Sequence, residues 1–386
     1  MNELTRRDFM RSIALGALAA ALPSAWAVEG EGPEPQARAP RPPFPRRGIH
    51  VLSGGKASLP ALERLVGDIA PSLGLNWVII EVNGNFQYAS HPECAEENPL
   101  TKEDAARLAT LARDKGLSLV PMYNCLGHQS WKEKAGALLR AHPELNEAPE
   151  LDATAKDFYC MSWCPNHPDV NRIVFDLLDE LVEAFQAKAF HVGMDEVFVL
   201  GHCPRCKGKP NAELFAKAVN DLHGHLVGRR GLEMQMWGDR LLDGKATGYG
   251  SWEASMNDTA PAIDLVPKDI VMCDWHYEVM EDFPSVRIFQ EKGFRVWPAG
   301  WNKERSIRRF VEVAREASGP LMLGYLCTTW NSVDELVRGL AGEVEVAEGD
   351  RRGRGLLRIV AGVKLGAALA RGAEPPSPPT SEGQVG

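Results

Sequence analysis

The sequence predicts a (β/α)8 barrel, an α/β fold, on three observations. Eight short apolar runs of strand length recur between Gly48 and Trp330. The stretches between them carry apolar residues at helical spacing. The ends of the runs collect carboxylates, asparagines and tryptophans, and the carboxyl ends of barrel strands are where such a fold places its chemistry. An open, doubly wound sheet is the competing arrangement. It needs no eighth strand and usually carries a glycine-rich phosphate turn after the first, and none follows here.

The first run is GIHVLS, from Gly48, followed by a helix near 59–72. The second is LNWVIIEVN, residues 75–83. Thr101 then opens a helix, with Asp104 completing a capping box and Gly116 as the stop. LSLVPMYN, 117–124, is the third strand. The helix near 168–186 has an apolar face built on Ile173, Leu177, Leu181 and Phe185. AFHVGMDEV, ending at Val197, is the fourth strand, and Asn211 opens a helix with Phe215, Val219, Leu222 and Leu226 on one face. The fifth to eighth strands fall at 233–239, 269–277, 294–301 and 321–330. A last helix near 354–371 carries Arg358 and Lys364 within its apolar run, so it is expected to pack on the barrel rather than span a membrane.

The ends of the chain read differently. TRRDFMR precedes the apolar run SIALGALAAAL and then SAWA, the pattern of a signal peptide over 1–27 with cleavage after Ala27. The pair Arg6-Arg7 gives it a twin-arginine character. The expectation is an exported protein, periplasmic or extracellular, without stable membrane insertion once the signal is cleaved. Residues 28–45 are rich in proline and glycine and read as a linker, 46–350 as the barrel domain, 351–372 as its packed C-terminal helix and 373–386 as a disordered tail. A net charge of −9 with no basic stripe argues against a nucleic-acid partner. The sequence carries no reading of oligomeric state.

Of the eight cysteines, Cys203 and Cys206 form C-x-x-C, and Cys160 and Cys164 are four residues apart. Two such pairs admit a four-thiolate zinc site or disulfides. No further His/Cys spacing completes a motif, so no metal or cofactor is assigned. Cys94, Cys125, Cys273 and Cys327 are expected to be small buried hydrophobes.

Chemistry concentrates at the fourth strand, where Asp195 and Glu196 stand side by side at the edge of an apolar run. A buried acid pair costs several kcal/mol unless it is paired, hydrogen-bonded or neutralised. Tryptophans 237, 275, 297, 301 and 330 fall near other strand ends, where sugar rings would stack. HVGMDEV resembles the H-x-G-G-D-E motif of glycoside hydrolase family 20, the β-N-acetylhexosaminidases. RRG before the first strand, GH after the third, MWGD after the fifth and a tryptophan at the eighth follow the same order. The similarity covers about residues 46–345, includes no separate N-terminal accessory domain, and is nearest the single-domain, hexosaminidase-D-like branch. Met194 replaces the motif's second glycine, Leu52 stands near an expected aspartate, the third strand ends MYN without an acid, and WNS stands in place of Trp-x-Glu.

Most retaining glycosidases flank the scissile bond with carboxylates about 5 Å apart, which neighbours on one strand do not readily do. The resemblance implies another route, in which an exo-acting enzyme removes terminal N-acetylhexosamine from glycans with retention, through an oxazolinium intermediate. Glu196 would protonate the leaving oxygen, and Asp195 would accept the acetamide N–H. The charge on Asp195 and the low dielectric should make Glu196 hold its proton more tightly. Tyr277 would donate to the acetamide carbonyl, and Trp237, Trp275 and Trp330 would wall the acetamide. Arg47 would hold ring hydroxyls, and His128 and His191 would support the acid pair. Two other classes remain open: a non-catalytic carbohydrate-binding barrel, and a metal-dependent hydrolase using His128, His191 and His276. An H-x-H pair at the first strand, which the latter would favour, is absent.

Overall fold

A computed structural model describes residues 41–155, 158–347, 349–373 and 375. The expected runs pair there as parallel strands. They are β1 (Arg46–Leu52), β2 (Trp77–Glu81), β3 (Ser118–Cys125), β6 (Ala189–Gly193), β7 (Glu233–Trp237), β8 (Val271–Trp275), β9 (Arg295–Gly300) and β10 (Gly324–Cys327). A two-stranded antiparallel hairpin, β4 (Ser130–Trp131) with β5 (Lys134–Ala135), projects from the loop after β3. The eight long strands close in the order β1-β10-β9-β8-β7-β6-β3-β2. β6 is thus the fourth barrel strand.

Short β-rich runs pair in parallel here because a helix connects most of them and returns the chain to the barrel's amino-terminal mouth. The capping box forms as expected. Asp104 N donates to Thr101 Oγ1 at 3.2 Å and Thr101 N to Asp104 Oδ2 at 3.0 Å. Asp104 also accepts from Lys56 Nζ at 2.6 Å, which ties this helix to the turn after β1. The helix Val170–Ala184 buries Ile173, Leu177 and Leu181, the face its spacing marked.

The barrel interior is filled by Ile79, Val120, Met122, Trp237, Cys273, Trp297 and Leu326. Trp297 is fully buried and needs a small neighbour: a Cβ on Gly48 would lie 2.4 Å from its Cζ2. A buried indole removes about 150–250 Å² from water, on the order of 4–6 kcal/mol of gross stabilisation.

The C-terminal helix, Arg351–Ala370, packs on β10 and on the helices Glu304–Glu316 and Val333–Leu340. Close approach is possible because Gly366 faces Cys327, where a Cβ would come within 2.8 Å of the sulfur. No described helix is long and apolar enough to cross a membrane. The signal expected over 1–27 lies outside the described residues, as does most of the tail at 373–386. The end of the expected linker is docked rather than extended. Phe44 is buried under the Arg315 guanidinium, 4.0 Å from its ring, and its N–H donates to Ala370 O at 2.9 Å.

Candidate active site

The acid pair follows β6 directly, at the carboxyl end of the barrel. The backbone there is unusual. Leu126, His128, Gly193, Met194 and Glu196 all have positive φ, so two adjoining strand ends hold conformations that L-residues seldom adopt. β3 and β6 also slip out of register between Met122 and Cys125. Such bulges commonly re-aim side chains beside active sites. Met194, at φ 73°, shows why glycine suits that motif position. Its fully buried side chain offsets the strain with core contact.

Asp195 and Glu196 are both buried. His128 Nε2 lies 3.2 Å from Asp195 Oδ2 and 3.1 Å from Glu196 Oε2. The alignment is too poor for a directed hydrogen bond, so the contact is an ion pair bridging both acids. Burial pulls the His128 pKa down, but the Asp195 charge and the contacts with both carboxylates outweigh it and hold the imidazole well above its usual value. Gly127 lets this loop come close. A Cβ there would meet Asp195 O at 2.9 Å and Val197 Cγ2 at 3.0 Å.

Asp239 braces the pair from the turn after β7. Its Oδ2 accepts from Glu196 N at 3.0 Å and from Arg240 Nε at 2.7 Å, and its Oδ1 accepts from Trp275 Nε1 at 3.2 Å. Burial, only partly offset by Arg240, and the neighbouring acids push the Asp239 pKa up to about 6. Asp195 Oδ1 is different: it is buried and, among the described residues, accepts no hydrogen bond. Trp330 Nε1 donates to the Tyr277 hydroxyl at 3.1 Å, and the Trp275 and Tyr277 rings lie 5.0 Å apart.

A second polar network joins the ends of β2 and β3. Glu81 Oε1 accepts from Asn83 Nδ2 at 2.9 Å and Asn124 Nδ2 at 2.8 Å, and Oε2 lies 3.2 Å from His50 Nε2. Burial raises the Glu81 pKa, but the His50 contact and the amide donors reverse this and leave it lowered. His276 lies between Asp274 Oδ1 and Glu253 Oε2, each at 3.0 Å. These carboxylates overcome the effect of burial and bring its pKa to about 9.

This geometry agrees with the chain's match to the glycosyl hydrolase family 20 catalytic domain, which spans residues 81–331 and includes the acid pair. The chain belongs to glycosyl hydrolase family 20. No curated protein matches it. Solved structures with the same fold include a chitobiase from Flavobacterium johnsoniae, at 17% identity and a TM-score of 0.57, with 86% of this chain and 52% of that one covered. A β-N-acetylhexosaminidase from Bacteroides fragilis gives 15%, 0.57, 83% and 66% for the same measures. An exo-β-N-acetylglucosaminidase from Vibrio harveyi, in complex with N-acetylglucosamine, gives 16%, 0.56, 85% and 54%. The chain therefore spans between about half and two thirds of the length of these structures.

Three expectations for this family 20 chain need correction. Arg47 is not at the pocket. It is the second residue of β1, at the amino-terminal mouth, and Leu52 at the other end is about 16 Å away at strand rise. Its guanidinium is committed to Gly74 O and Phe44 O, both at 2.7 Å. Trp237 has no exposed surface. It packs 4.5 Å from His191 and 5.5 Å from His50, so it belongs to the barrel interior rather than to a wall. Trp297 is likewise core, edge-on to Trp77 at 5.6 Å.

The three histidines of the metal-hydrolase reading form no common cluster among the described residues. His191 Nδ1 accepts from Gly193 N at 3.1 Å, and burial together with nearby His50 keeps its pKa well below the usual value. Sequence reasoning missed an aromatic rim of Tyr159, Phe198 and Trp252, with Tyr159 edge-on to His128 at 5.7 Å and to Trp252 at 5.0 Å. These residues sit outside barrel strands and carry no periodic signal. His50, mid-strand in β1, was also missed; its inward place on an alternating strand was the available clue.

Proposed function

We propose that the chain is an exo-acting glycoside hydrolase that removes terminal N-acetylhexosamine from glycans, with retention, by substrate-assisted catalysis. One observation carries the reading. Two adjacent buried carboxylates share His128 as a cationic partner, and among the described residues Asp195 Oδ1 has no donor. A buried acceptor without a donor is costly. A substrate acetamide N–H supplies one. Asp195 then orients the acetamide so that its carbonyl oxygen attacks the anomeric carbon, and stabilises the positive charge of the oxazolinium ring. Glu196 gives its proton to the departing oxygen and takes one from water in the second step.

The other nearby acids support this assignment, because among the described residues each is engaged: Asp239 by Glu196 N, Arg240 and Trp275; Glu81 by two amides and His50; Glu253 and Asp274 by His276. Among these described acids none is left to attack the sugar from the opposite face. Trp275, Tyr277 and Trp330 wall the acetamide. Glu81 takes the ring-hydroxyl role that Arg47 cannot reach. The engagement of His276 by two carboxylates argues against the metal-hydrolase reading.

The test is hydrolysis of aryl 2-acetamido-2-deoxyglycosides beside the matching 2-hydroxy glycosides. The expected result is turnover of the first and near-inertness of the second. Equal turnover, or none on either, refutes the proposal. The Arg6-Arg7 pair supports export of this enzyme. Lys-Lys in its place should leave uncleaved precursor in the cell, and unchanged export would exclude the twin-arginine route.

A further inference from the structure

We propose that Glu147, Cys164, Cys203 and Cys206 form a zinc site that staples together the loops flanking the acid pair. One ligand atom from each lies within 4.8 Å of the others, and all four residues are buried. Cys160, which pairs with Cys164 in the sequence, does not take part, because its thiol donates to Glu196 O at 3.6 Å. The fourth position is instead held by a carboxylate about 17 residues before Cys164, a spacing that no sequence motif announces.

The carboxylate is the observation that points to a cation. Glu147 is fully buried. Its Oε1 accepts from Gly201 N at 2.8 Å and His202 N at 3.1 Å, which fixes its orientation. Its Oε2 is buried and accepts no hydrogen bond from a described N–H or O–H group. A buried carboxylate left so among thiols costs several kcal/mol. A divalent ion removes that cost.

The sulfur spacing suits a metal better than a disulfide. Cys164 Sγ lies 3.2 Å from Cys203 Sγ and 3.6 Å from Cys206 Sγ. A disulfide needs about 2.05 Å. Tetrahedral zinc with bonds of about 2.3 Å sets sulfurs about 3.8 Å apart, a small expansion from what is seen. The turn Cys203–Cys206, closed by Cys206 N and Lys207 N on Cys203 O, presents both sulfurs to one side. Asn166 Nδ2 lies 3.3 Å from Cys206 Sγ, an outer donor suited to a thiolate. Three thiolates favour zinc among common ions, and four protein ligands make the site structural rather than catalytic. Binding releases the thiol protons to solvent.

The position gives the site its role. Cys164 N donates to Leu145 O at 2.7 Å, and Trp163 N donates to Leu126 O at 3.0 Å, two residues before His128. The Cys203–Cys206 turn follows the acid pair in the chain. A metal there therefore fixes the loop carrying His128 against the loop carrying Glu196.

The experiment uses the full chain made in zinc-supplemented medium. Zinc per chain is measured by mass spectrometry, thiols are titrated in denaturant with chelator, and cobalt(II) is added to zinc-stripped protein. The expected results are about one zinc per chain, all eight cysteines titrating as thiols, and sulfur-to-cobalt charge-transfer bands with tetrahedral absorption. Cys206→Ser should lose the metal. Glu147→Gln should release zinc to a chelator at least about tenfold faster. If Cys206→Ser does not fold, the cobalt spectrum and Glu147→Gln still decide the matter. Eight thiols without bound zinc or cobalt, a deficit of two thiols, or an oxygen-ligated cobalt spectrum would each overturn the proposal.

Discussion

Replacing His128 with Asn removes the cation shared by Asp195 and Glu196 and keeps a residue that tolerates the φ of 54° found there. The magnitude follows from the two contacts at 3.2 and 3.1 Å. At an effective dielectric near 20, a full negative charge at either distance is worth about 5 kcal/mol of gross attraction. Desolvation takes back much of this, and removing one partner of a buried pair costs about 3–5 kcal/mol. At about 2 °C per kcal/mol for a chain of this size, the melting temperature should fall by about 6–10 °C. The pH dependence tests the cause. The folded pKa of His128 lies well above the unfolded value. Its contribution is therefore fully present below about pH 6.5 and is lost as pH rises through the folded value. Melting curves of both proteins across pH should show a gap that is widest near pH 6 and narrows in alkali. A gap that is flat, or that widens upward, would mean that His128 is neutral and the bridge is not ionic.

Other substitutions separate chemistry from scaffold. Glu196→Gln should cost about 10²–10⁴ in kcat on glycosides with poor leaving groups and far less on activated aryl ones; equal losses in steady-state assays would point to a structural role. Gly127→Ala puts a methyl 2.9 Å from Asp195 O. It should lower kcat/KM at least about tenfold by displacing the pair, with stability to unfolding reduced by only about 1–3 kcal/mol. Arg47→Ala should leave KM unchanged while costing about 1–3 kcal/mol, measured by denaturant unfolding, because its hydrogen bonds to Gly74 O and Phe44 O are lost.

The barrel was legible because strand and helix periods alternate cleanly along the chain, and a capping box such as Thr101–Asp104 is local chemistry. The acid pair was legible because charge at the end of a buried strand is expensive. Arg47 was misplaced because a motif was followed without the strand's direction: a residue opening a parallel barrel strand lies at the mouth opposite the chemistry. Trp237 and Trp297 were misjudged because position at a strand end does not say whether an indole points into the barrel or over it. The His128 bridge depends on positive-φ turns at Leu126 and His128, which have no sequence signature in residues other than glycine. The gathering of Glu147 with Cys164, Cys203 and Cys206 is long-range and becomes visible only once β3 and β6 lie side by side.

Asp195 tests the central claim most directly, because the substrate-assisted route makes it an orienting group and the alternative makes an enzyme carboxylate the nucleophile. The measurement is intact-protein and peptide mass spectrometry after incubation with a 2-fluoro glycoside that traps covalent glycosyl-enzymes, with inhibition by a thiazoline analogue of the bicyclic intermediate measured on the same samples. No sugar adduct is expected on any carboxylate, and thiazoline binding should weaken by about 10²–10³-fold in Asp195→Asn, the loss of one oriented charge contact. A covalent sugar on Asp195, or on another carboxylate, with thiazoline affinity unchanged in Asp195→Asn, would contradict it.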